Sequence, residues 1–278
     1  MNSFYKNALY AFVLLALLLQ GACAKIPLKD PPTTSTASLH TDWTLRGTGI
    51  DIPAEYSVDI DGRTLTFKES ENDLPELETG TYPIVIYNTA EHITLQGSNA
   101  TVSTKDGSVE PLPGWLFTAV TEVSYEIFEK RTVTAAMEQQ VRLLEMELTI
   151  TEGNPERITR VEAQLTGIAN NLDIRTRALS GDHLNVQPAF TRTGDKLRAN
   201  VRLIGITGTQ HLSLRILFSD EREMHTGAID LSELLKGFNS DKHLGTKLTA
   251  DIHTPIETGM TASITGWKNV ETSGGTAW

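Results

Sequence analysis

Apolar residues recur at every second position over most of this chain, and that period fits a half-buried β-strand. Leu144, Met146, Leu148 and Ile150 share one face of a strand expected over residues 141–150. The same period marks Tyr56, Val58 and Ile60, then Leu197, Ala199, Val201 and Leu203, then Leu212, Leu214, Ile216 and Phe218. Turn signals stand between such runs. Asp61-Gly62 is the dipeptide that a tight hairpin prefers, and Leu65 and Phe67 continue beyond it. Residues 80–88 form a β-branched and aromatic run, with Pro83 near its start, where a missing N–H does least harm. Ile93 and Leu95, then Ala100 and Val102, predict a short hairpin, and Val123, Tyr125 and Ile127 end a first block. Val133, Ala135 and Met137 open a second, which continues through Val161, Ala163 and Leu165 to strands over 248–252 and 260–264 and closes at Trp267. One stretch departs from the pattern. Over residues 230–238, Asp230 and Glu233 match a capping box, and Leu231, Leu234, Leu235 and Phe238 form one helical stripe. A helix that short needs packing to hold it. The expectation is an all-β chain of two tandem β-sandwiches, residues 41–130 and 131–271, with one short helix in the second and a Gly-rich tail over 272–278.

The N-terminus has a different character. Lys6 precedes an apolar run from Ala11 that ends in the small residues Gly21 and Ala22, followed by Cys23. The run is too short to span a bilayer, which takes roughly 20 apolar residues, and it has the form of a secretory signal, residues 1–22. Leu-Leu-Leu-Gln-Gly-Ala-Cys resembles the lipobox of bacterial lipoproteins, in which the cysteine is acylated and becomes the first residue. A plain signal peptide is the alternative. Cys23 is the only cysteine. An exported chain meets conditions that permit disulfides, so an unpaired thiol calls for a reason, and acylation supplies one. The Pro-, Ser- and Thr-rich residues 23–40 then form a linker.

The chain has 278 residues and a net charge of −11, a balance that argues against nucleic acid and against electrostatic docking to anionic lipid. The seven histidines, His40, His92, His183, His211, His225, His243 and His253, show no metal-ligand spacing. Asp59-Ile-Asp61-Gly62 lacks the later ligands of a calcium loop and is better explained as a turn. Glu69, Glu71 and Asp73 are explained by a solvated acidic loop, and Trp43, Trp115, Trp267 and Trp278 by packing rather than sugar stacking. No nucleophile elbow, P-loop or catalytic set is present, so neither an enzyme nor a cofactor is expected.

Several segments are informative together. They are residues 111–118 (Pro-Leu-Pro-Gly-Trp-Leu-Phe-Thr), 139–144 (Gln-Gln-Val-Arg-Leu-Leu), Arg157-Ile158, 165–169 (Leu-Thr-Gly-Ile-Ala), Asp230-Leu-Ser, Gly237-Phe-Asn and 264–267 (Ile-Thr-Gly-Trp). In this order, behind a lipoprotein signal, they resemble the FimB-like fimbrial anchor and minor-subunit family of type V pili, over about residues 43–270. The resemblance implies two transthyretin-like sandwiches and no enzymatic activity. It implies other fimbrial subunits as partners and an outer membrane reached through the lipid on Cys23. It also implies assembly by strand addition, for which the tail after Val270 or the segment around Trp43 is the candidate strand. Arg46-Gly47 is where a shaft subunit would be cut, whereas anchors stay uncut. The linker lacks an acidic cluster after the cysteine, which leaves surface or periplasmic display open. A glycan-binding surface lipoprotein is the competing class, and exposed coplanar rings in a groove would mark it.

Overall fold

The computed structural model describes residues 33–181, 184–254 and 261–272. Cys23, the signal segment and residues 273–278 lie outside them. Strands are nearly all of the regular structure among the described residues, beside a single short 3₁₀ turn at Pro155–Arg157.

Two apolar cores organise the strands. The first lies between a five-stranded sheet and a three-stranded sheet. The larger runs Glu138–Gln139, Phe117–Tyr125, Gly80–Tyr87, Tyr56–Ile60, Arg63–Phe67, and the smaller Arg131–Ala136, Ala37–Asp42, Glu71–Asp73. Leu39, Val58, Ile84, Ile86, Phe117 and Tyr125 fill this core. The expected hairpin is present. Asp61 and Gly62 take φ of +49° and +70°, the doubly left-handed pair that matches strand twist.

The second core lies between two larger sheets. One runs Thr191–Thr193, Lys196–Leu203, Arg142–Glu152, Gly245–His253, Ser263–Thr272. Arg142–Glu152 is central, antiparallel to Lys196–Leu203 and parallel to Gly245–His253. Its Leu144, Met146, Leu148 and Ile150 are all buried, as their period predicts, and each contributes roughly 1.5–3 kcal/mol on leaving water. The opposing sheet is built on Ile158–Ala169, paired along one edge with His211–Phe218 and at one end with Leu184–Val186. Gly167 forms a bulge there at φ +73°, and a side chain at that position would collide with the Thr209 carbonyl.

Four local features depart from the sequence reading. The linker expectation ends too late, because Thr34–Ser35 and Ala37–Asp42 are strands and Ala37, Leu39 and Thr41 are buried. Ser and Thr sit on both faces here, Ser35 and Thr41 buried and Thr34 and Ser38 partly exposed, and β-branched threonine suits a strand, so composition hid the alternation. Part of the acidic loop is likewise an edge strand, Glu71–Asp73, with Asp73 paired to Lys130 at 2.6 Å. Arg131–Ala136, read as opening the second block, pairs in parallel with Ala37–Asp42 in the first core, while Ala100, Val102 and Val109 pack in the second. The chain therefore crosses between cores three times, and periodicity carries no information about partners.

The fourth departure is the predicted helix, which is not formed. Residues 232–239 are a string of turns. The Asp230 carboxylate accepts from Ser232 N–H, Leu235 N–H reaches Leu231 O at 3.0 Å, and Phe238 N–H reaches Leu235 O at 2.8 Å. The apolar stripe is real, since Leu231, Leu235 and Phe238 are buried. The segment is too short to gain much from a helical ladder, and other groups take its later carbonyls. Buried Arg142 donates to Gly237 O, Phe238 O and Ser240 O from Nη1, and to Leu244 O from Nε, all within 2.7–2.9 Å. The Asn239 amide closes both ways on the Ile206 backbone.

Candidate subunit-docking edges

Of the two segments expected to be exchanged, the one around Trp43 is fully engaged at home. The Trp43 ring meets Tyr56 and Phe117 edge-on at 6.0 and 5.6 Å, and its Nε1 donates to Thr41 Oγ1. The Arg46-Gly47 bond is held too. Gly47 N–H donates to the Gln139 side-chain carbonyl, and the Gln139 amide donates to Val141 O and Lys242 O. The C-terminal segment differs. Ser263–Thr272 is an edge strand, hydrogen-bonded to Gly245–His253 along one side and, among the described residues, to nothing on the other. It leads directly into the tail.

A second open edge was not expected. Leu184–Val186 covers Ile158–Ala169 only from Leu165 to Ile168. Beyond it comes Pro188, which has no N–H to donate, and the chain crosses to the other sheet at Thr191–Thr193. Between residues 158–164 and this crossover lies a cleft of about 770 Å³, lined by Glu162, Ala163, Gln187, Pro188, Phe190 and Arg215 among others. The Val186-Gln-Pro188 step after an alternating run was the available signal. The ionisable groups of the cleft are paired. Glu162 contacts Arg215 at 2.9 Å and Arg160 at 3.2 Å, and Arg215 also binds Glu223, so these carboxylates raise its pKa. Beside this cleft, no described strand pairs with residues 158–164 on the side away from His211–Phe218, and such an edge is suited to receiving a strand.

The outer face of the other sheet carries one dense charge cluster. Glu147, 12% exposed, meets Lys196 at 2.6 Å, Arg198 at 3.0 Å and Lys247 at 3.2 Å. The Lys196 hydrogen bond, with Arg198 and Lys247 and against burial, holds its carboxyl at about 2. A depressed carboxyl pKa stabilises the fold above the ordinary value of 4.5, and that stability is lost as pH falls toward 2. Glu147→Gln is therefore expected to cost about 1–2 kcal/mol at neutral pH, discounted for the partly exposed cations, and to flatten the acid limb. Urea unfolding from pH 7 to 2 measures both, and an unchanged acid slope would show that the cluster contributes nothing.

The aromatic rings that pair with one another do so within the fold. Tyr56–Phe67 and Tyr82–Tyr125 are tilted or edge-on, like the Trp43 pairs, and Arg202 stacks on Trp115 at 5.1 Å. No coplanar exposed pair of the kind that would mark a sugar site occurs among the described residues. No cluster of three or more His, Cys, Asp or Glu able to hold a metal ion occurs among them either, and no described helix is long and apolar enough to cross a membrane.

Solved structures share this architecture. The chain is similar to the fimbrial anchor protein Mfa2 from Porphyromonas gingivalis, with TM-score 0.59 and 13% identity over 85% of this chain and 97% of that one. It is similar to an adhesin candidate from Bacteroides ovatus, with TM-score 0.59 and 16% identity over 73% and 84%. It is also similar to candidate polysaccharide-binding proteins from Bacteroides thetaiotaomicron, with TM-score 0.53 and 10% identity over 84% and 96%. At these identities the likeness is one of fold. Among curated proteins none matches the chain. Residues 48–273 match the family described as fimbrillin-A associated anchor proteins Mfa1 and Mfa2, and this protein belongs to that family.

Proposed function

We propose that the protein is a lipid-anchored fimbrial anchor or minor subunit. Acyl chains on Cys23 fix it to the outer membrane on the surface side, and related pilus subunits join it by β-strand addition. The observation that carries this reading is the family match over residues 48–273. The open sheet edges support the mode of joining. A strand laid along such an edge satisfies its N–H and C=O groups, while alternate side chains set specificity. The tail is the strand lent, because it follows an edge strand that, among the described residues, pairs on one side only. Arg46-Gly47 stays uncut, because its backbone is tied to Gln139. The role is mechanical and needs no bond-making chemistry.

Deleting residues 272–278 tests this. The truncated protein is expected to keep its thermal unfolding and to lose co-purification with related subunits. Undiminished co-purification would exclude the tail as the strand exchanged.

A further inference from the structure

Phe117–Tyr125 and Arg131–Ala136 are joined by the turn Glu126-Ile127-Phe128-Glu129, closed by Glu129 N–H on Glu126 O at 3.4 Å. Phe128 sits at φ +63°, the left-handed position where such a turn favours Gly or Asn. The residue is 86% exposed, while among the described residues the next most exposed large apolar side chain, Ile52, is at 50%. Ile127 beside it is 39% exposed. A strained backbone and a bare aromatic ring both oppose stability, and the fold makes no use of the ring. An outlier of this kind points to a task outside the fold.

The position of the turn indicates which task. Ser35 Oγ donates to Glu126 O at 2.5 Å and lies 3.5 Å from Glu129 O. The tip is therefore fastened where the chain enters the fold, since Thr34–Ser35 is the first described strand. Cys23 lies only eleven residues before Thr34. A chain of that length reaches at most about 40 Å. The apolar tip is thus kept within reach of any bilayer that holds Cys23.

We infer that Ile127 and Phe128 dip into the lipid interface of the outer membrane as a second contact that orients the first sandwich on its anchor. This inference rests on the lipid-anchor reading above. Affinity comes from the acyl chains, and the tip supplies direction. The contact is apolar in character. Arg131 pairs with Glu126 at 3.0 Å and Glu129 at 3.3 Å, and Lys130 pairs with Asp73 at 2.6 Å. Glu76 and Glu78 nearby are exposed and bring no attraction to an anionic surface. The contact should therefore not weaken as salt is raised.

The test uses full-length acylated protein purified from its own membranes and reconstituted in phosphatidylethanolamine–phosphatidylglycerol vesicles. Because Cys23 is acylated, Ile127→Cys offers one free thiol for a nitroxide, with Phe128 still in place. The ratio of oxygen to nickel-chelate accessibility is expected to be several-fold higher at 127 than for a label at Ile52→Cys, in low and high salt alike. Adding Phe128→Gly is expected to cut that ratio by more than half and, by relieving the strained φ, to raise the melting temperature. A label at 127 as wet as the label at 52 overturns the inference. So does a Phe128→Gly variant that melts lower, which would give the ring a structural role, and so does protection at 127 that appears only when pilus subunits are added. Flotation separates the two readings. If the wild type floats with vesicles and Cys23→Ser does not, a wet label overturns the tip contact alone. If the acylated mass is absent and the wild type fails to float, both fall.

Discussion

Arg142→Met is expected to destabilise the second sandwich by about 3–5 kcal/mol, enough to remove a fifth or more of the stability of an ordinary domain. The side chain is 5% exposed, and its guanidinium holds four carbonyls that belong to the 237–244 segment. Hydrogen bonds from a charged donor contribute about 1.5–3 kcal/mol each, and orphaning a buried carbonyl costs more than deleting both partners. Phe238 adds a ring face 5.1 Å from the guanidinium. Methionine keeps much of the volume and none of the donors. Arg142→Lys is expected to recover less than half of the loss, because an ammonium cannot reproduce the planar fork. Urea unfolding followed by tryptophan emission measures the change. A loss below about 1 kcal/mol would mean that Leu231, Leu235 and Phe238 hold the segment by packing alone.

Cys23→Ser is expected to move nearly all of the protein from the membrane fraction to the soluble fraction. Several acyl chains on one residue give durable attachment, whereas the tip contact at Ile127 and Phe128 is too small to retain a protein unaided. The folded part should be unaffected, since Cys23 precedes the first strand at Thr34–Ser35. Equal melting curves for the two proteins would show that the variant acts on attachment and not on folding. A membrane-bound Cys23→Ser protein would remove the lipid from the account.

The strands were legible in the sequence wherever one face is dry and the other wet. Leu144 to Ile150, Leu197 to Leu203 and Leu212 to Phe218 read directly, and Asp61-Gly62 announced its hairpin. Pairing was not legible. That Arg131–Ala136 lies parallel to Ala37–Asp42 depends on contacts between residues far apart in the chain. The short segment after Asp230 shows why a correct apolar stripe can still give the wrong element, because Arg142, remote in sequence, claims the carbonyls. The Phe128 tip went unnoticed because Ile127 continues the alternation of Val123 and Tyr125, and no Gly, Asn or Asp marks the turn. The cleft beside Ile158–Ala169 was hidden for the opposite reason, since it exists through a strand that stops early at Val186.

In the function proposed above, the protein seats a pilus on the membrane. The most direct measurement is the amount of fimbrial polymer on cells against that in the medium, in the producing bacterium carrying Cys23→Ser in place of the wild type. The account predicts pili shed into the medium and cells largely bare. Pili retained on cells at wild-type density would contradict it.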